Sequence, residues 1–179
     1  MRYGGTIVAT MLLVCGLALA NEDADYGVAP TRDLRLAEYA APTPREVPGA
    51  RTIRTLELQA WLQRDAPMRP VLVDVVGGEG HDSIPGAIWL PGAGRGRAFD
   101  DAVQAQLARA LEALTGRSNA RPIVFFCVGV NCWLSYNAAL RAAALGYSEV
   151  YWYRGGIEAW IEAGGDLSPM RMTWRAPPE

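Results

Sequence analysis

Pro122-Ile123-Val124-Phe125-Phe126-Cys127-Val128-Gly129-Val130-Asn131-Cys132-Trp133 runs from an apolar stretch, through a short loop holding two cysteines, into a helix-like segment. Pro122 to Phe126 shows no polar alternation, which is the pattern of a central strand covered on both faces. Trp133 to Leu145 is Ala-rich and stops at Gly146, as expected of a helix with a C′ glycine. In open α/β sheets reactive groups collect at the carboxyl edge of the strands, and this order puts Cys127 there. A turn this tight aims backbone N–H groups inward, and the helix start adds its own donors, so an anion cradle is expected around the first sulfur. Such donors favour thiolate over thiol. Gly129 suits a position of positive φ. The competing reading is a buried cysteine that merely ends a strand. A second cysteine at the helix start argues against it.

Outward from that unit the pattern stays regular. Val71 to Val76 is a second buried strand, and Ala87 to Leu90, Glu149 to Tyr153 and Thr52 to Arg54 are shorter ones. Helices are expected from Thr55, as cap, through Arg64, from a cap at Asp100 to Leu114, and from Ile157 to Ala163. Strands alternating with helices predict an α/β fold, a mainly parallel sheet flanked by helices on both faces.

Before this core the chain changes character. Arg2, the apolar run Thr6 to Leu19 and Ala18-Leu19-Ala20 read as a signal peptide over residues 1–20, cut after Ala20. The run is too short for a comfortable membrane span, so no membrane association is expected after cleavage. A lipid anchor on Cys15 is disfavoured because Val14 precedes it. Residues 21–50 are acidic and then Pro/Ala-rich without periodicity, a tail that drapes over the domain or stays mobile. The domain proper is placed at 51–167, with a C-terminal tail at 168–179.

The full chain has a formal net charge of −2. Without Arg2 the mature chain stands at about −3, and no basic stripe remains for nucleic acid. All 17 basic residues are arginine, which excludes Schiff-base and lysine-nucleophile chemistry. Of the 3 cysteines only Cys127 and Cys132 survive signal cleavage. A bridge between them would close too short a loop to staple much, so the pair points to function rather than scaffolding. His81, Cys127 and Cys132 lack metal-motif spacing; no metal and no cofactor are expected.

Several segments resemble rhodanese-like domains: Val73-Asp74-Val75, His81-Asp82-Ser83-Ile84-Pro85-Gly86-Ala87-Ile88, the loop from Cys127, Gly146-Tyr147, Val150-Tyr151, and Gly155-Gly156-Ile157-Glu158-Ala159-Trp160. Together they cover roughly residues 51–167, a normal domain length. Ile84 to Pro91, Cys132 to Ala139 and Tyr151-Trp152-Tyr153 are further similar to the exported PQQ-dependent catabolism-associated CXXCW motif proteins. Here the spacing is Cys-x4-Cys-Trp rather than Cys-x-x-Cys-Trp.

What the resemblance implies is a periplasmic rhodanese-like protein using Cys127 for persulfide (sulfur transfer) or thiol redox chemistry. The active-site loop would be Val128, Gly129, Val130, Asn131 and Trp133, with Cys132 resolving the outer state of Cys127 by closing a disulfide. Partners would be a small sulfur donor or acceptor, a periplasmic protein thiol, or a quinoprotein dehydrogenase system. Many rhodaneses carry Arg or Lys beside the nucleophile and this loop has neither, so weak or no thiosulfate:cyanide activity is expected. The rival reading is a catalytically inactive binding or assembly partner of a periplasmic quinoprotein system. Asp74 is read as structural, and Trp133, Trp152 and Trp160 as packing residues, with Trp133 also able to face a partner. His81 is read as supporting a turn in preference to acting as a base. Arg95 and Arg97 either draw an anion towards the site or keep the surface soluble.

Overall fold

The computed structural model describes residues 22–170. The proposed signal peptide and most of the C-terminal tail lie outside the described residues. The order is β1 (Arg51–Thr52), α1 (Thr55–Leu62), β2 (Val71–Asp74), β3 (Asp82–Ser83), β4 (Ile88–Trp89), α2 (Ala102–Thr115), β5 (Ile123–Phe126), α3 (Trp133–Ala144), β6 (Val150–Tyr153), α4 (Gly156–Glu162) and β7 (Ser168–Pro169). Five strands form a parallel sheet in the order β1-β6-β5-β2-β4, and β3 pairs antiparallel with β7. This is the expected α/β architecture.

Strand alternation sorts the core into two layers. Val73, Ile123, Phe125 and Trp152 point to one face, where Leu107 and Leu111 of α2 and most of α3 cover them. Leu72, Val124, Phe126 and Tyr153 point to the other, against Leu58 of α1 and Ile157 and Trp160 of α4. Helix α3 has buried residues from Trp133 through Ala142 along its whole length. An ordinary surface helix keeps a wet face; this one is covered on its outer side as well.

The cover is the segment between residues 22 and 50. Among its anchors on α3, Tyr136 Oη donates to Thr31 O (2.7 Å), and the Asn137 side chain bonds Arg35 N (3.0 Å) and O (2.8 Å). At its start Arg154, 1% exposed, donates to Glu22 O (2.7 Å), Ala24 O (2.8 Å) and Thr43 O (2.9 Å). The Pro/Ala-rich segment is thus a strap across the domain, and Ser168 and Pro169 likewise continue the ordered structure past residue 167.

Two helix caps differ from the expectation. Helix α1 is capped from Arg54, whose N–H donates to Glu57 (2.9 Å). Thr55 is instead buried, its hydroxyl bonded to Glu22 (2.8 Å) and Tyr153 (2.8 Å). Helix α2 is capped by Asp101, not Asp100; Asp101 accepts from Gln104 N (2.8 Å) while its other oxygen pairs with buried Arg141 (2.9 Å). That ion pair fixes which of the two aspartates can turn inward.

Candidate active site

Strand β5 sits in the middle of the sheet, so its carboxyl end opens into the space between α3 and α4. Cys127 follows Phe126 there and is 2% exposed. Cys132 is the N-cap of α3 and is partly buried. The two are joined in a disulfide, with Cα atoms 6.2 Å apart, within the span a curled five-residue step allows.

Helix α4 holds the outer wall of the loop. Ile157 N donates to Cys127 O (3.0 Å) and Glu158 N to Val128 O (2.9 Å). That approach requires glycine at its start. Gly156 has φ +60°, and a Cβ there would lie 2.4 Å from Cys127 O. Gly129, in contrast, does not have positive φ, correcting the expectation. It is glycine for lack of room: a Cβ would sit 2.1 Å from Glu158 Oε2.

The strap holds the inner wall. Thr43 N (3.1 Å) and Oγ1 (2.6 Å) both donate to Val130 O, and Ala40 forms an antiparallel bridge with Cys132. Trp133 N donates to Tyr39 O (2.9 Å), and Cys132 N to Gly129 O (3.1 Å). Trp133 N and Cys132 N are therefore bonded to backbone carbonyls and are not left for an anion.

Between these walls lies a cavity of about 380 Å³ reached by Cys127, Cys132, Val128, Gly129 and Asn131. Tyr39, Ala40, Val76, Gly77, Leu134 and Glu158 complete it. Glu158 is its only charged side chain among the described residues. Val128 is 44% exposed at the rim. Val130 and Trp133 do not reach the cavity. Val130 is turned under the strap, and Trp133, 3% exposed, packs on Tyr136 and donates its indole N–H to Pro42 O (3.0 Å). Trp133 is a packing residue with no partner-facing surface. Trp152 and Trp160 are also buried.

His81 does not line the cavity; its Nε2 lies 2.7 Å from Asp74 Oδ2 and its ring is edge-on to Trp89. Asp74, fully buried, also accepts from Val76 N (2.8 Å) and the Ser83 hydroxyl, and so ties the turn after β2 to β3. The Arg95 guanidinium lies over the Tyr39 ring (5.5 Å), so this residue braces the strap. Among the described residues no cluster of three or more His, Cys, Asp or Glu could hold a metal.

Sequence reasoning did not reach Glu158, Tyr39 and Ala40. Glu158 follows the carboxyl end of β6, so the edge rule that marked Cys127 also applies to it. Tyr39 and Ala40 act through backbone and shape, which leave no residue-type signal.

Among solved structures, a thiosulfate sulfurtransferase from Pseudomonas aeruginosa is 23% identical with a TM-score of 0.47; the match covers 73% of this chain and 22% of that one. A protein from Anabaena is 20% identical, TM-score 0.50, covering 68% of this chain and 95% of that one. A full-length protein from Lactobacillus plantarum is 22% identical, TM-score 0.50, covering 66% and 88%. No curated protein matches the chain. The family description "Rhodanese-like domain" matches residues 55–163, which span α1 to the end of α4 and contain both cysteines. With that match over more than half of its length, the chain belongs to the rhodanese-like domain family, for which sulfur transfer is the family-level activity.

Proposed function

We propose that the chain is a periplasmic rhodanese-like protein in which Cys127 carries sulfur or cycles as a redox thiol and Cys132 resolves it, in the service of PQQ-dependent alcohol oxidation. The observation that carries the reading is the second cysteine, in bonding position to the first inside a cavity at the carboxyl edge. The apolar run Thr6 to Leu19 supports export, and the similarity around Cys132-Trp133 and Tyr151-Trp152-Tyr153 supports the quinoprotein association.

In the sulfur-transfer form, the Cys127 thiolate attacks the sulfane sulfur of a donor. A Cys127 persulfide forms and the donor leaves as an anion. Cys132 thiolate then attacks Sγ of Cys127; the disulfide closes and hydrosulfide departs with the electron pair. Each turn leaves the pair oxidised, so an external thiol must reopen it.

The test is intact mass after reduced protein meets a neutral organic persulfide. Cys132→Ser should gain one sulfur and keep it. The wild type should return to the disulfide and release hydrosulfide. Cys127→Ser should do neither. If Cys132→Ser gains nothing while small thiols still open the wild-type bond and small disulfides close it again, the activity is thiol redox alone. The burial of Cys127 favours a second reading, an inactive docking module. That reading is established if the bond resists every thiol and Cys127→Ser preserves partner binding.

A further inference from the structure

The cavity has an electrostatic asymmetry that the family's chemistry does not require. The loop Cys127 to Cys132 holds no cation, the strap residues on the other wall are Tyr39 and Ala40, and the single charge is the Glu158 carboxylate. Its position is not incidental. Glu158 N is held by Val128 O (2.9 Å), so the base of the side chain is tied to the cysteine loop. Its carboxyl carbon lies 2.9 Å from where a Gly129 Cβ would be, and Gly129 leaves that space clear. A carboxylate placed over a reactive loop, beside apolar walls, raises the cost of bringing in a second negative charge.

We infer that Glu158 sets the charge specificity of this site: the thiol that reopens the Cys127–Cys132 bond is one with a cationic group beside its sulfur, and anionic sulfur compounds are turned away. The inference rests on the reading that the pair cycles. Cys132 is the more exposed of the two cysteines, so the incoming thiolate attacks its Sγ. The Cys127–Cys132 bond breaks and Cys127 leaves as thiolate. A second thiolate attacks the outer sulfur of the mixed disulfide, forming a small disulfide and leaving Cys132 as thiolate. Two external thiols are oxidised and the protein disulfide is reduced to the two thiolates that the sulfur-transfer form needs. An aminothiol attacks as a species of net charge zero, a neutral thiol as a monoanion, and a mercaptocarboxylate as a dianion. The carboxylate therefore opposes these three to increasing degree.

The experiment follows bond opening in the full oxidised chain with cysteamine, 2-mercaptoethanol and 3-mercaptopropionate. Rates are expressed per thiolate and divided by those on a small uncharged disulfide, which removes intrinsic nucleophilicity. The expected wild-type order is cysteamine, then 2-mercaptoethanol, then 3-mercaptopropionate, with about tenfold between successive members at low salt. Glu158→Gln should flatten the series, Glu158→Arg should invert it, and molar salt should compress it in the wild type only. The same order and spacing in wild type and Glu158→Gln would overturn the inference while leaving the cycling pair intact. Failure of all three thiols to open the bond in any variant would overturn both.

Discussion

Gly156 is the position where the link between α4 and the cysteine loop can be broken with one methyl group. In Gly156→Ala the new Cβ would meet Cys127 O at 2.4 Å, Gly129 N at 2.8 Å and the Val128 carbonyl carbon at 2.8 Å. All three are backbone atoms of a loop pinned by the disulfide on one side and by Thr43 on the other, so the neighbour cannot swing away. The φ of +60° adds about 1–2 kcal/mol for any residue with a Cβ. Relief of the clash separates α4 from the loop and breaks the bonds from Ile157 N and Glu158 N, each contributing about 1 kcal/mol. The expected loss is about 3–4 kcal/mol, which in a domain of this size lowers Tm by roughly 8–14 °C. Urea unfolding of the oxidised protein, with unchanged slope, is the assay. A loss under about 1 kcal/mol would show that α4 does not brace the loop, and the placement of Glu158 would lose its structural basis.

Gly129→Ala meets only the end of a flexible, exposed side chain, so it should cost less than about 1 kcal/mol while displacing the Glu158 carboxylate; thermal melting set beside the thiol series separates the two effects. Arg154→Met keeps the buried stem but removes the guanidinium that holds Glu22, Ala24 and Thr43. It should cost at least about 3 kcal/mol and expose residues 22–45 to native-state proteolysis, and a protease-resistant strap would count against this anchoring. Burial pushes the Asp101 carboxyl up, but the Arg141 guanidinium and the N–H groups of Gln104, Ala98 and Arg97 override it and hold it down at about 2. A depressed carboxyl stabilises the fold above its ordinary pKa and loses that contribution as pH falls towards 2, on the order of 2 kcal/mol in all. Between pH 5 and pH 3 Asp101→Asn should accordingly lose about 1 kcal/mol less urea stability than the wild type does; parallel curves would refute the coupling.

The strand-loop-helix unit was legible because apolar runs and a C′ glycine are local signals, and Cys127 stood at the end of the strongest run. Helix caps were legible only to within a residue. Asp100 and Asp101 are equivalent in sequence, and the choice between them is made by Arg141, forty residues away. Gly129 was identified as special for the wrong reason, since a crowding carboxylate and a positive φ leave the same residue type. The strap was legible only as one of two alternatives, a tail that drapes over the domain or stays mobile. It binds through Thr31 O, Tyr39 O, Pro42 O and the Arg35 backbone, groups that every residue has, so no composition or period marks it. The negative character of the cavity was hidden because Glu158 comes from a different element than the loop it faces.

The strap also sets a clock on the chain's maturation. Thr31 finds Tyr136 across 105 positions, and Glu22 finds Arg154 across 132. A ribosome delivers the strap first and its receptors last. Until β6 and Arg154 have emerged, the early segment has nothing to bind and α3 keeps its apolar outer side exposed. Such long-range closures make folding slow and place it after synthesis of nearly the whole domain. During that interval both cysteines are open to solvent, so the first oxidation of the pair can precede the structure that later shelters it.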